Sequence, residues 1–426
     1  MLQHRQPSRY NILFIMCDQL RADAVGYNNQ HVHTPNIDRL AAQSIRFNNH
    51  FVQSPQCCPS RASLLSGEYP GNIGMYWNDD IYYPPVKTFG EYFSQDGYST
   101  GYFGKFHVQG NIAPNPFVAK LGFKTNYLYN NWIRDGKGKQ YYEQYMQAYD
   151  NPGLVGKIVE PEKQHDHIIV NRAIQFIKST DAPHLSFVSF HGPHAPYSCP
   201  DKYKELYHDS PLLTPPGIKP QGYYTRFDLT QKQWIELKTN YYGCISWIDY
   251  QIGRLLNQCD MSNTIIVFTA DHGDILGEHG LWDKGLYAYD SVVKVPLLIK
   301  APDVQPCDYQ YLSEAVDILK TLVDHVGLRY FGLPEQIRNN LINDASNDIK
   351  SRSYVYSAVG KHQPRVRMVR TENYKYWWGK TDPTTLHYLF DLKEDPSENV
   401  NIASSNHEAV SFMKSLLIEA LVYSGA

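Results

Sequence analysis

Asn11-Ile12-Leu13-Phe14-Ile15-Met16-Cys17-Asp18-Gln19 is an unbroken apolar run that stops abruptly at two polar residues. A continuous run, unlike an alternating one, marks a strand covered on both faces. Runs of the same kind recur at Tyr98–Phe103, Leu185–Phe190, Thr264–Thr269 and Val295–Ile299. Helical patterns separate them. Thr34-Pro35 reads as a cap and first helical residue, with Ile37, Leu40, Ala41 and Ile45 at helical spacing. Thr88 to Glu91 has capping-box spacing, with Gly97 as the stop. Ile168, Ile169, Ala173, Ile174 and Ile177 mark another helix. Thr230 to Gln233 caps a long one through Trp234, Leu237, Tyr241, Ile245, Ile248 and Ile252. Strands alternating with helices predict an α/β fold: a large mixed, mostly parallel sheet sandwiched by helices.

The texture changes near Ser351. Tyr354–Val359, Arg365–Arg370, Tyr374–Gly379 and His387–Asp391 read as short strands, and Glu408–Tyr423 as a terminal amphipathic helix. Residues 1–350 are thus expected to form the main domain and 351–426 a small α+β subdomain with a short antiparallel sheet plus helix. Segments 110–165 and 198–230, rich in Tyr, Pro, Gly, Asn and Lys, read as long loops of the kind that line a site.

The 426 residues allow a sizeable core, and 42% hydrophobic with 19% charged residues excludes a disordered tail or a membrane bundle. A formal charge of -3 supplies no broad positive field, so neither nucleic acid nor a membrane is expected as a partner. Any anion must be met locally. The 34 Tyr are read first as core filling with polar tips. Seven cysteines without a spacing framework argue for a reducing compartment. Ile12–Cys17 is too short for a signal-peptide core or a membrane span, which points to a cytoplasmic location unless a leader precedes the chain.

In an open α/β sheet, ligands collect beyond the carboxyl ends of the strands. Asp18 and Gln19, Lys105 and His107, His191 and His194, and Asp271 and His272 each follow one of four apolar runs. One such residue is ordinarily a cap or turn; four strands ending this way point to one site. Two carboxylates, an imidazole and an amide oxygen suit a hard divalent cation, with Ca²⁺ favoured over Mn²⁺ or Mg²⁺. Cys57-Cys58-Pro59-Ser60-Arg61-Ala62-Ser63-Leu64-Leu65-Ser66-Gly67 supplies the remaining piece. Pro59 reads as a first helical residue and Gly67 as a stop, so Cys57 sits at a helix N-terminus, where a thiol is acidified. Arg61, one turn in, can reach an anion through its planar fork.

The run Cys57-x-Pro59-Ser60-Arg61 followed by Ala-Ser-Leu-Leu-Ser-Gly resembles the activation signature of the type I sulfatases, members of the alkaline phosphatase superfamily. The resemblance implies that Cys57 is converted to formylglycine by a maturation enzyme, and that 1–350 is the catalytic domain. It implies that Asp18, Asp271 and His272, with Gln19 and residue 57, hold the metal. Arg61 would support the aldehyde hydrate; Lys105 and His107 match a Gly-Lys-x-His segment, His194 a His-x-Pro position, and Lys284 the lysine after the second metal motif. Asn78 resembles a ligand-contacting Asn in some relatives, although a turn role fits it equally. His191 has no family match and is read as structural. Glu-Asn-Tyr-Lys-Tyr and Leu-Phe-Asp-Leu, between Glu372 and Leu392, resemble the family's C-terminal subdomain.

The implied reaction is hydrolysis of an organic sulfate ester, of a saccharide or an aryl or alkyl group, to alcohol and sulfate. One hydroxyl of the hydrated aldehyde attacks sulfur, and the second is deprotonated by His107. Lys105, Lys284 and the metal hold the sulfuryl oxygens, and His194 or Lys284 protonates the departing alkoxide. Gln19, where many sulfatases carry a second Asp, keeps a phosphonate monoester or phosphodiester hydrolase in view; Lys105 and His107 favour the sulfatase. A non-catalytic binder of sulfated glycans would be expected to have lost Cys57, Arg61 or a metal residue, and none is lost.

Overall fold

The computed structural model describes residues 9–80, 86–108, 115–129, 131, 160–181, 183–215, 217, 229–329, 339–361, 363–379 and 387–425. An eight-stranded sheet is built from β1 (Asn11–Asp18), β2 (Ile45–Phe51), β3 (Ser99–Gly104), β4 (Thr125–Leu128), β5 (His184–Pro193), β6 (Thr264–Ala270), β7 (Leu297–Lys300) and β8 (Cys307–Glu314). Its order is β4-β3-β5-β1-β6-β7-β2-β8. β1 is flanked by parallel β5 and β6, with Ile12 opposite both Leu185 and Ile265, and only β7 runs against its neighbours. These central strands are buried on both faces, which is why their sequences do not alternate. Phe14 stacks on Phe187 at 4.4 Å and Phe187 on Tyr102 at 4.8 Å, locking β1, β5 and β3 across one face.

The helices carry the expected signals, with one correction. Thr88 and Glu91 close a capping box on the helix Phe89–Gln95, and Thr230 and Gln233 do so on Gln231–Leu256. The helix entered through Pro35 ends at Ala41, however, and Ile45 opens β2. Thr34 does not cap it: its hydroxyl accepts from the Gly26 N–H at 2.6 Å and donates to Asp38 at 2.9 Å. Within the segments read as loops, 115–120 and 201–204 are helical and β4 is a strand. Much of the rest, notably 132–159 and 218–228, lies outside the described residues.

The C-terminal part forms β9 (Val355–Val359), β10 (Val366–Arg370), β11 (Tyr374–Gly379) and β12 (His387–Asp391), antiparallel in the order β12-β11-β10-β9. The helix His407–Ser424 packs on it through Met413, Leu417 and Ala420, and Tyr69 and Val316 from the main domain join that core. Lys375, buried in β11, pairs with Asp290 and Glu398 and ties this sheet to the segment following β6. Among the described residues no helix is long and apolar enough to cross a membrane.

Candidate active site

Neighbouring strands β3, β5, β1 and β6 end at one edge of the sheet, and the residues at their ends converge. Asp18 closes β1, Asp271 and His272 follow β6, Lys105 and His107 follow β3, and His194 follows β5. Cys57 enters as the first residue of the helix Cys57–Ser66, buried along its whole length and closed by Gly67 in the left-handed conformation at φ 69°. Pro59 is the third residue of that helix, not the first, and Gln56 holds the N-cap position. Proline is tolerated there because the first-turn N–H groups have no intrahelical acceptor in any case. Asn78 tends this helix end: its Oδ1 accepts from the Cys58 N–H at 3.0 Å and its Nδ2 donates to Gln56 at 3.2 Å.

Asp18, Cys57, Asp271 and His272 are buried, and their donor atoms all lie within 4.8 Å of one another. The Cys57 Sγ is 3.1 Å from His272 Nε2 and 3.8 Å from Asp18 Oδ1. His272 Nδ1 lies 2.8 Å from the Gly273 carbonyl, which directs the Nε2 lone pair inward, as metal ligation requires. Oxygen, nitrogen and residue-57 donors so placed fit one divalent cation. Burial pushes His272 down, yet Asp271 and Cys57 overcome this and raise it to about 9, so the anionic neighbours favour positive charge at this position.

Arg61 holds the cluster's shape. Its Nε donates to Asp271 at 2.7 Å and its Nη2 to Asp18 at 2.9 Å, while Nη1 donates to the Lys105 carbonyl at 2.6 Å and the Ser189 hydroxyl at 2.8 Å. The fork expected to meet an anion is therefore engaged on the carboxylates and on β3 and β5. Ser189, a polar residue in an apolar strand, was the available sign of this buried partner. Gly104 brings Lys105 in: at φ 114°, a Cβ there would sit 1.9 Å from the Ser189 carbonyl oxygen.

The cationic side comprises Lys105, paired with Asp18 and 3.8 Å from the Cys57 Sγ, and Lys284. The Lys284 Nζ donates to Gln19 Oε1 at 2.7 Å, His194 Nε2 at 3.1 Å and Asp283 at 3.1 Å. Gln19, expected among the metal ligands, has its amide oxygen on the Lys284 ammonium, and its Nε2 donates to Asp274 at 2.7 Å. Nothing but the short spacing from Asp271 pointed to Asp274 in the sequence. His107, at φ 45°, lies near Cys57 with neither of its buried ring nitrogens hydrogen-bonded, and His191 stacks on His194 at 5.2 Å. Burial pushes the Cys57 thiol up, but Lys105, Lys284 and His272 outweigh it and hold it well below the usual thiol range. Burial pushes His107 down, which favours its neutral form.

A carboxylate and imidazole cluster able to hold a cation beside Cys57, ringed by lysines at the head of an α/β sheet, is suited to handling an anionic ester. The chain belongs to the sulfatase family, within the alkaline phosphatase superfamily, and is a sulfuric ester hydrolase: the Sulfatase family model matches residues 10–328, and that of the N-sulphoglucosamine sulphohydrolase C-terminal region matches 277–421. It is 30% identical over 422 residues to the ulvan-active sulfatase of Formosa agariphila, covering 94% of this chain and 78% of that protein. With the arylsulfatase of Clostridium perfringens it shares 27% over 466 residues, covering 96% and 94%. The fold is shared with the phosphonate monoester hydrolase of Agrobacterium radiobacter, at a TM-score of 0.78 and 21% identity over 98% of this chain and 96% of that one.

Proposed function

We propose that the protein hydrolyses a saccharide sulfate ester to alcohol and inorganic sulfate, with formylglycine at position 57 and one divalent cation, Ca²⁺ first, held by Asp18, Asp271, His272 and residue 57. The observation that carries this reading is the seating of Cys57 at a buried helix N-terminus, within 4.8 Å of three cation ligands and beside Lys105 and His107. The 30% identity to an ulvan-active sulfatase supports a saccharide. A bound cation would polarise a sulfuryl oxygen and acidify a hydroxyl on residue 57.

The chain's own residues do the rest. Lys105, 3.8 Å from the Cys57 sulfur, and Lys284 both lend positive charge to position 57 and receive the sulfuryl oxygens as negative charge grows on them. His107, kept neutral by burial, takes a proton from a hydroxyl on residue 57. Lys284 and His194 lie together at the leaving-group end and supply a proton to the departing oxygen. Arg61 keeps Asp18 and Asp271 in place throughout. A maturation enzyme is the partner this reading requires.

The test has two parts. Mass spectrometry of the Cys57 peptide after coexpression with a formylglycine-generating enzyme should find the thiol replaced by an aldehyde, and Cys57→Ala should abolish turnover. Unmodified Cys57 with unchanged turnover in the variant would sink the mechanism. Rates on aryl sulfate, aryl phosphonate and bis-aryl phosphate esters then separate the substrate classes. Gln19 keeps the phosphorus esters in view as a second reading, and preference for either of them would reverse the assignment.

A further inference from the structure

Every polar atom of Gln19 is engaged, each with a different part of the site. Its N–H donates to Asp271 Oδ1 at 3.1 Å, its carbonyl accepts from the Tyr241 hydroxyl at 2.9 Å, Nε2 donates to Asp274 at 2.7 Å and Oε1 accepts from Lys284 at 2.7 Å. These bonds hold the residue in the left-handed region at φ 68°, a conformation a non-glycine residue rarely takes without such support. The amide has one usable orientation, because turning it over would set its NH₂ against an ammonium and its oxygen against a carboxylate.

Asp274 is wholly buried, and its carboxylate also accepts from the Tyr197 hydroxyl at 2.6 Å and the Leu276 N–H at 2.8 Å. Trp282 Nε1 donates to the same hydroxyl at 3.1 Å. A carboxylate anchored at three points therefore stands one amide away from Lys284. Beyond Lys284 lies His194, whose Nδ1 is 2.6 Å from the Ala195 carbonyl and so must carry a proton. His194 Nε2 is then the lone-pair nitrogen, and the proton in its 3.1 Å contact with Lys284 sits on Lys284.

We propose that Asp274, acting through Gln19, is a positioning residue for the leaving-group end of the site, fixing the amide that holds the Lys284 ammonium beside His194. This rests on the sulfatase reading above. As an oxygen of residue 57 bonds to sulfur and the ester S–O bond breaks, the electron pair of the broken bond passes to the departing oxygen, which takes a proton from Lys284 Nζ, held in place by Gln19 and His194. The aim of that proton matters most when the alcohol is a poor leaving group.

The experiment compares a sugar or alkyl sulfate with 4-nitrophenyl sulfate, whose phenolate departs without help, on protein matured at residue 57. Asp274→Asn should lower kcat on the alkyl ester about 10²-fold and on the nitrophenyl ester by less than about tenfold. Gln19→Glu, which opposes two carboxylates across a 2.7 Å contact, should show the same selective loss. The double variant Gln19→Glu/Asp274→Asn restores one donor, one acceptor and one charge, and should recover most of the alkyl-ester rate. A smaller folded fraction would scale both rates alike, so selectivity between the esters separates positioning from damage to the fold. Equal losses on the two esters, or a double variant no better than the singles, would overturn this inference alone; absence of sulfate-ester turnover in the matured wild type would overturn it together with the proposed function.

Discussion

The Arg61 Nη2 lies 2.9 Å from Asp18 Oδ2, and neither side chain touches solvent. Removing one partner of such a pair leaves the other charge buried, at a cost of about 3–5 kcal/mol. Arg61→Met should therefore destabilise the cation-free protein by about that amount, measured by urea unfolding. Arg61→Lys keeps the charge but loses the fork, and should fall between wild type and Arg61→Met. Added cation should narrow the differences by holding Asp18 and Asp271 itself; a neutral Arg61→Met would contradict the role given to the guanidinium.

Cation binding to the folded chain alone should raise its stability by about 2.7 kcal/mol at a hundredfold excess over Kd. Thermal melts with Ca²⁺, Mn²⁺ or Mg²⁺ should move upward, and a chelator should reverse the shift. Asp271→Asn and His272→Ala should each remove most of the response. An unaltered response in both variants would place the cation elsewhere.

His50 is buried on β2 with its Nδ1 3.0 Å from the Ser313 hydroxyl. Burial, with the Arg352 charge added, pushes its imidazole down to about 3. In the unfolded chain the ring titrates near about 6.5. Above that pH both states hold it neutral; as the pH falls from about 6.5 toward 3, only the unfolded state takes up the proton. Stability should drop by up to about 1.4 kcal/mol per pH unit across that window, and His50→Gln should flatten the slope. Denaturant midpoints measured between pH 4 and 7 would check this, and parallel slopes for the two proteins would refute it.

Gly104→Ala should cost both stability and rate. Its Cβ would meet the Ser189 carbonyl at 1.9 Å on a backbone at φ 114°. Relief requires β3 to move from β5, taking Lys105 with it, at about 1–3 kcal/mol for the backbone alone. A lowered melting temperature with a fall in kcat is the expected result, and an unchanged kcat would separate Lys105 placement from this glycine.

The central strands were legible in the sequence because they are buried on both faces, and Asp18, Lys105, His107, His194, Asp271 and His272 because each follows such a run, whereas Cys57, Arg61 and Lys284 were legible through their motifs. Strands β2 and β8 were not, since both lie toward one edge of the sheet, where half-buried residues break the continuous apolar signal. Ile45 fitted the helical spacing before it, and only packing decides that it starts a strand. Arg61 was found, but its partners were not, because the sequence records a charge without the direction of its fork. Asp274 was hidden for a similar reason: its meaning comes from Gln19, 255 positions earlier in the chain.

The Gln19 N–H and the Asp271 carboxylate that receives it are separated by 252 positions and meet only because β1 and β6 lie side by side. No local segment of the unfolded chain contains more than half of the cluster Asp18, Cys57, Asp271 and His272, and long-range loop closure must come first. Affinity for a cation at this cluster would thereby be a global property of the chain. A titration with metal reads the integrity of the whole central sheet, and damage at a distant strand would first be noticed as a loosened ion.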